Sequence, residues 1–242
     1  MSNNNFSSFD FMFSDNPNKG IFEALDTYKT PKDTFVIPEI AKQEKELEDK
    51  LAKTRVLRND KTYVRNHLFR ESLKNVIPDD HISYLEKLKS EGFEPKVIYD
   101  IGSCVLHWTK AAQKLWPEAT YILFDASTSV EFLYTKNDYH IGVLTKDDGE
   151  EITFYQNDLN QGGNSYFKEI GHEESKYLFN EETATTRIGE KLDTIVKNRG
   201  FPLPDLVKID VQGAENDLIH GGEKTLASCK HLIVEMQKVN YN

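Results

Sequence analysis

The sequence predicts an α/β protein with a doubly wound, mostly parallel, Rossmann-like sheet and an N-terminal helical extension. Short apolar runs that end in acidic residues alternate with amphipathic segments of helical period. In the stretch 96–126 an apolar run ends in Asp100-Ile101-Gly102, a helical segment follows, and a second apolar run closes on Asp125. Such a β-α-β unit places the ends of both strands at one edge of a parallel sheet, where ligands bind.

Composition limits the classes of partner and the location. The 242 residues suit one α/β domain with an extension, and the net charge of −10 opposes binding to nucleic acid or to anionic membranes. Cys104 and Cys229 lie far apart and in no metal-ligand spacing. No signal peptide and no apolar stretch long enough for a membrane span is visible. We therefore expect a cytoplasmic protein without a bound metal.

Three segments are predicted along the chain. Residues 1–37 are polar and broken, which is typical of a flexible tail. Residues 38–91 form the helical extension, rich in Glu and Lys, with one or two exposed amphipathic helices and then a helix that Pro78-Asp79-Asp80 opens and that ends near Ser90. A coiled coil that makes a homodimer is the alternative for the first helices. Residues 92–242 form the third segment, the α/β domain.

The remaining elements follow from local patterns. After Asp125, the run TSVE has capping-box spacing. The patterns predict, in order, a helix over 128–135, a third strand over 140–144, an antiparallel strand over 151–155, a helix over 188–196, a strand over 206–209, a helix from Ala214 and a last strand over 232–235. Residues 157–182 have no sustained period, and a loop of this length is either a lid or binding loop or a plain insertion.

Acidic residues end four of the predicted strands and therefore meet at one edge of the sheet. A glycine after the first strand lets backbone approach a ligand closely, and a carboxylate ending the second strand can accept both hydroxyls of a ribose. The sequence thus predicts a nucleoside site at this edge, which brings together Asp100, Gly102, Asp125, Asp210, Gln212 and Glu235.

One stretch carries a specific resemblance to a known family. The run LVKIDVQGAENDLIHGG at 206–222, with Gly92-Phe93-x-Pro95, Asp100-Ile101-Gly102, the segment 142–165 and Lys191-Leu192-Asp193, resembles the FkbM-type S-adenosylmethionine-dependent methyltransferases. The likeness extends from about Leu88 to Asn242. It implies S-adenosylmethionine as cofactor and transfer of a methyl group to a hydroxyl of a sugar or other polyhydroxylated small molecule.

The resemblance also implies roles for individual residues. The residues expected to bind cofactor are Asp100, Gly102, Ser103, Cys104, Asp125, Ala126, Ser127, Asp210 and Gln212, while Ser165 and Glu215 are expected to bind substrate. The expected catalytic residues are Asp210, Lys208 and Glu235. A hydroxyl is a poor nucleophile until its proton is removed, so Asp210 is the first choice for the base. Lys208, on the same strand face, can orient the acceptor or pair with Asp210.

The chain departs from the family pattern at several positions. Cys104 and Leu106 replace a small polar residue and a glycine, Asp125 replaces a glutamate, and Gln212 replaces another. The family fold has seven strands, and two of them are expected after Glu235, so the C-terminal strands are expected to be missing. The last strand would then be an edge that another element or a second copy of the chain covers.

Two other classes of function remain open on the sequence. A nicotinamide-dependent oxidoreductase fits the Asp-x-Gly turn, but the chain has no full Gly-x-Gly-x-x-Gly and no recognisable Tyr-x-x-x-Lys. A binding module that keeps the nucleoside pocket without turnover fits the replacements Asp125 and Gln212. Binding of NADH separates the first of these from methyl transfer, and turnover separates the second.

Overall fold

The computed structural model describes residues 59–74, 76–168 and 178–236, together with Asp49, Lys53 and Leu57. The chain divides into two units, Met1–Arg55 and Val56–Asn242, and nearly all of the described residues belong to the second. The predicted tail, most of the first amphipathic segment with its coiled-coil alternative, and any strands after Glu235 lie outside the described residues.

The described elements comprise six α-helices and eight strands. The helices are α1 (Lys61–Ser72), α2 (Asp79–Ser90), α3 (His107–Leu115), α4 (Leu192–Arg199), α5 (Glu215–Gly221) and α6 (Glu223–Leu226). The strands are β1 (Val97–Ile101), β2 (Thr120–Asp125), β3 (Asp138–Ile141), β4 (Val143–Leu144), β5 (Glu151–Tyr155), β6 (Ala184–Glu190), β7 (Leu206–Ile209) and β8 (His231–Val234). Two short 3₁₀ turns cover Glu131–Leu133 and Gln161–Gly163.

A sheet of five parallel strands in the order β3-β2-β1-β7-β8 forms the centre of the domain. The direction of winding reverses between β1 and β7, which makes this point the topological switch point. The Rossmann-like class is therefore confirmed. Within the described residues, β8 pairs with β7 alone.

Alternate residues of the central strands build two apolar layers. Ile98 and Leu123 face the layer that α1, α2 and α3 cover, whereas Tyr99 and Ile122 face the layer under α4 and α5. All four side chains are fully buried. Burial on both faces explains why these strands read as continuous apolar runs rather than as alternating ones.

Helix α1 packs on the same core as the parallel sheet. The Asp60 carboxylate caps its first turn by accepting from Thr62 N at 2.9 Å and Tyr63 N at 3.0 Å. At its last turn, His107 Nε2 donates to Glu71 O at 2.8 Å, and Lys110 Nζ donates to Ser72 O. Cationic or polar donors at a helix C-terminus satisfy carbonyls that lack helical partners.

The predicted third strand is divided, and the first residues of a predicted helix belong to a strand. Gly142 separates β3 in the central sheet from β4, which belongs to a smaller sheet of order β4-β6-β5. The helix predicted over 188–196 is wrong in its first half, because β6 continues to Glu190 and pairs antiparallel with β5. Ile188, the first residue of that predicted helix, is 55 % exposed on β6.

The helix predicted over 128–135 is also wrong, since only the 3₁₀ turn Glu131–Leu133 forms there. Val130 and Tyr134 are both fully buried. The Tyr134 hydroxyl donates to Cys104 O at 2.6 Å, which ties this segment to the loop after β1. Tertiary contacts therefore determine this segment more strongly than its capping pattern.

Among the residues that the structure describes, no helix is both long and apolar enough to span a membrane.

Candidate functional site

A cavity that is partly open to solvent lies at the carboxyl edge of the parallel sheet beside the switch point. Strand ends and the loops that follow them supply most of its wall, namely Ile101, Gly102, Cys104, Phe124, Asp125, Ala126, Val143, Leu144, Phe154, Asp210, Val211, Gln212 and Ala214. The loop after β5 supplies Gln161, Gly162, Asn164, Ser165 and Tyr166.

Gly102 allows two loops of the cavity wall to touch. Its φ of +76° lies in the left-handed region, and a Cβ at this position would come within 1.8 Å of the Asp210 carbonyl oxygen. Gly102 N donates to Phe124 O at 2.9 Å. The glycine is therefore required by the packing of the β1 loop against the β7 loop, independently of any ligand.

Backbone strain is concentrated beside the cavity. Cys104, Leu106 and Gln212 have φ angles of 46°, 69° and 53°, and no other non-glycine residue in the described part of the chain has positive φ. Each such conformation costs about 1–3 kcal/mol and is typical of functional sites. Burial and then the neighbouring Asp125 raise the pKa of the Cys104 thiol to about 12, so this thiol is not an activated nucleophile.

Asp125 lines the cavity and is held by its own loop. Its Oδ2 accepts from Cys104 N at 2.8 Å and from the Tyr134 hydroxyl at 3.2 Å, and its Oδ1 accepts from Ser127 N at 2.8 Å. Burial raises the pKa of this carboxyl against the opposing effect of these bonds. Since a carboxylate oxygen can accept more than one bond, Oδ1 is the oxygen with capacity for a ligand hydroxyl.

Lys208 joins the two strands of the switch point. The side chain is buried, and its Nζ lies 3.3 Å from Asp100 Oδ1, 3.3 Å from Asp210 Oδ2 and 2.9 Å from Gly102 O. Burial alone would lower the pKa of Lys208, but the two carboxylates outweigh it and the pKa is raised. Lys208 is therefore a charged support behind the cavity wall rather than part of it.

Asp210 is the member of this cluster that lines the cavity. Lys208 pairs with its Oδ2, and Gln212 Nε2 donates to its Oδ1 at 2.9 Å. Asp100, by contrast, is fully buried and accepts from Thr109 Oγ1 at 2.5 Å, so it acts from behind the wall. Two donors thus fix the orientation of one carboxylate at the switch point.

The loop Gln161–Tyr166 forms the far side of the cavity, and hydrogen bonds hold its C-terminal end. Ser165 pairs with Tyr155 through backbone bonds of 2.8 and 3.1 Å. The Tyr166 hydroxyl donates to Asp217 Oδ2 on α5 at 3.0 Å. Within the loop, Asn164 Nδ2 donates to Gln161 Oε1 at 2.9 Å. This part of the predicted lid or binding loop lies on the cavity, while 169–177 lie outside the described residues.

Four more of the predicted site residues do not line the cavity. Ser103 Oγ donates to Asp100 O at 2.6 Å, and Ser127 donates through its backbone to Asp125. Glu215 Oε1 accepts from Val211 N and Gly213 N, both at 3.1 Å, and so holds the loop after β7. Glu235 is exposed after β8. The ligand roles of Ser103, Ser127, Glu215 and Glu235 stay predictions.

Glu235 nevertheless lies close enough to Asp210 for the charge of Asp210 to affect its pKa. Partial loss of hydration and then the negative charge of Asp210 raise the pKa of the Glu235 carboxyl. Register explains this proximity, because Ile209 pairs with Val234 and the next residue of each parallel strand is one of these two acids.

Sequence reasoning missed the apolar part of the wall, and within the predicted lid or binding loop 157–182 it named only Ser165 as a site residue. Phe124, Val143, Leu144 and Phe154 come together only because β4 and β5 leave the central sheet, which their local pattern does not indicate. The polar run Gly163-Asn164-Ser165-Tyr166 was the available signal for the far loop.

The chemistry of the wall is acidic and polar. No lysine, arginine or histidine occurs among the cavity-lining residues that the structure describes. In the same described part of the chain, no cluster of three His, Cys, Asp or Glu side chains is placed to hold a metal ion. The cavity thus offers two carboxylates, amides, hydroxyls and an apolar surface.

The sheet order and the position of the cavity define a Rossmann-like α/β domain with a cavity at the switch point, where ligands of such folds bind. Residues 97–242, more than half of the chain, match the family model of the methyltransferase FkbM domain. The chain therefore belongs to the FkbM methyltransferase family, which confirms the resemblance seen in the sequence. No curated protein matches it.

Proposed function

We propose that the protein is an S-adenosylmethionine-dependent O-methyltransferase that acts on a hydroxyl of a sugar or other polyhydroxylated small molecule. Family membership supports methyl transfer. The observation that carries the choice of cofactor is the cavity wall, which combines Asp125 and Asp210 with no basic side chain among its described residues.

The residues of the wall fit a sulfonium nucleoside. S-adenosylmethionine, when bound, supplies an electrophilic methyl group on a positively charged sulfur. Carboxylates in the cavity favour such a cation. Asp125 Oδ1 can accept a ribose hydroxyl, and the apolar surface of Phe124, Leu144 and Phe154 suits a purine.

The same wall disfavours a nicotinamide dinucleotide. A pyrophosphate needs cationic side chains or the free amides of a helix N-terminus that follows a glycine-rich turn. Here Leu106, in the left-handed conformation, precedes α3, and the described wall holds no Lys or Arg. This contrast supports methyl transfer over hydride transfer.

Asp210 is the proposed base for the acceptor hydroxyl. Its carboxylate is at the cavity surface, and Lys208 and Gln212 set its orientation. Removal of the hydroxyl proton as the new bond forms lowers the barrier, and a fixed carboxylate does this without reorganisation. Glu235 and Ser165 are proposed contacts of the acceptor.

Transfer of a tritiated methyl group tests the proposal. The purified chain is incubated with methyl-labelled S-adenosylmethionine and a mixture of neutral methyl glycosides, and alkali-stable label in the carbohydrate fraction is counted. Label above that of heat-denatured protein supports an O-methyltransferase. Tight binding of the cofactor without any transferred label would favour the binding-module alternative.

Replacing Asp125 by alanine is expected to weaken S-adenosylhomocysteine binding at least about tenfold, or about 1.4 kcal/mol, because a ribose acceptor is lost. Isothermal calorimetry measures the change. Asp138→Ala is the matched control, since Asp138 is an exposed acid at the start of the adjoining strand β3. Equal affinities for Asp125→Ala and the unmodified chain would remove the ribose assignment.

A further inference from the structure

The charge of the cavity restricts the acceptor as well as the cofactor. Asp125 and Asp210 are both on the wall, and none of the wall residues in the described ranges is basic. The whole chain, these two residues included, carries a net charge of −10. A ligand anion that brings no cation of its own meets like charge at the described part of this wall, and like charges juxtaposed in a partly desolvated site are strongly unfavourable. The carboxylate of the cofactor differs in this respect, because the cofactor carries its own ammonium group.

Lys208 and Arg187 contact residues of the wall without being part of it. Arg187 Nη2 donates to Ala126 O at 2.7 Å. Lys208 Nζ donates to Gly102 O at 2.9 Å and forms ion pairs of 3.3 Å with Asp100 Oδ1 and Asp210 Oδ2. The cluster of Asp100, Lys208 and Asp210 holds two carboxylates against one ammonium, so it adds negative rather than positive charge to the site. Lys208 therefore offers no binding site for a phosphate or carboxylate.

The far loop presents neutral polar groups in fixed positions. Asn164 Oδ1 accepts from Asn157 N at 2.7 Å, and Asn164 Nδ2 donates to Gln161 Oε1 at 2.9 Å. Ser165 Oγ accepts from Phe167 N at 3.0 Å. Amides and hydroxyls held in this way can both donate to and accept from ligand hydroxyls, which is the pairing that a neutral polyol requires.

We infer that the acceptor is a neutral polyol, which the amide and hydroxyl groups of the loop Gln161–Tyr166 bind. Acceptors with a phosphate or carboxylate near the reacting hydroxyl are excluded. This inference rests on the proposed methyltransferase function. It adds a charge class of acceptor that membership of the family does not specify.

Matched saccharides test the inference by binding rather than by turnover. Saturation-transfer NMR compares methyl β-glucoside with methyl β-glucuronide, and methyl β-galactoside with methyl β-galacturonide, on protein saturated with S-adenosylhomocysteine. Within each pair only a hydroxymethyl group is exchanged for a carboxylate. We expect the neutral member to bind about tenfold more tightly. Equal or tighter binding of the uronides, or binding of neither member, would overturn the inference.

Calorimetry with S-adenosylhomocysteine alone distinguishes a wrong acceptor class from a wrong proposed function. Cofactor binding with an equal or reversed saccharide preference would contradict only the acceptor class. Absence of cofactor binding would contradict the proposed function itself.

Gln212→Lys supplies the cation that the described wall lacks, and Gln212→Met is the matched uncharged control. Gln212 lines the cavity next to Asp210, and lysine and methionine are also unbranched. We expect Gln212→Lys to reduce the preference for the neutral sugars about tenfold relative to Gln212→Met. The same preference in both variants would show that charge does not select the acceptor.

Discussion

Replacing Lys208 by methionine is expected to lower the free energy of unfolding by about 3–5 kcal/mol, because it leaves buried carboxylates without their counter-ion. Lys208 is 4 % exposed, and Asp100, which it pairs with at 3.3 Å, is fully buried. Urea-induced unfolding followed by circular dichroism measures the loss. Adding Asp100→Asn to Lys208→Met should recover part of it, since one of the uncompensated charges is then removed.

Lys230→Met is the matched control for this experiment. Lys230 pairs with Asp205 at 3.1 Å, but its side chain is 65 % exposed, so its loss should cost only about 0–1 kcal/mol. If Lys208→Met and Lys230→Met lower the free energy of unfolding by the same amount, the buried ion pairs of Lys208 do not stabilise the switch point.

Asp210→Asn is expected to leave S-adenosylhomocysteine binding nearly unchanged and to reduce methyl transfer by about 100-fold or more, which is the range for loss of a positioned base. An amide keeps the shape of the side chain and can still accept from Gln212 or Lys208, but it cannot take the hydroxyl proton. Single-turnover transfer of labelled methyl to the neutral glycosides measures the rate.

Asp217→Asn controls for the loss of a carboxylate near the cavity. Asp217 accepts from the Tyr166 hydroxyl at 3.0 Å, and an amide oxygen can keep that bond. Its transfer rate should therefore remain close to that of the unmodified chain. Full activity of Asp210→Asn would exclude Asp210 as the base.

The central sheet was predictable because its signals are local. Continuous apolar runs such as 97–99 and 121–124 are typical of strands buried on both faces, and both runs form adjacent strands in the structure. Period-two spacing also placed Lys208 and Asp210 on one strand face, where they pair at 3.3 Å. Such local patterns give correct predictions where the tertiary structure favours the same element as the local sequence does.

The errors lie where tertiary contacts outweigh local preference. The helix predicted to begin at Ile188 begins at Leu192, because β6 continues to Glu190. The predicted strand 140–144 is divided at Gly142, where a Cβ would come within 2.5 Å of Glu190 Oε2 and His140 Nε2. Both differences involve pairing with β6, which the local sequence pattern does not show.

The site was predictable at the strand ends but not beyond them. Asp125 and Asp210 line the cavity as predicted positions, whereas Asp100 and Glu215 support the wall from behind. The sequence shows that a carboxylate stands at a strand end. Only the three-dimensional contacts show whether that carboxylate faces the cavity or the loop that follows its own strand.

Isothermal calorimetry of S-adenosylmethionine and S-adenosylhomocysteine against the purified chain, with NADH as control, tests the central claim most directly. The acidic cavity at the switch point predicts micromolar binding, about −8 kcal/mol, of both sulfur nucleosides and no binding of NADH. Binding of NADH, or of none of the three, would contradict the assignment of this cavity to a methyl donor.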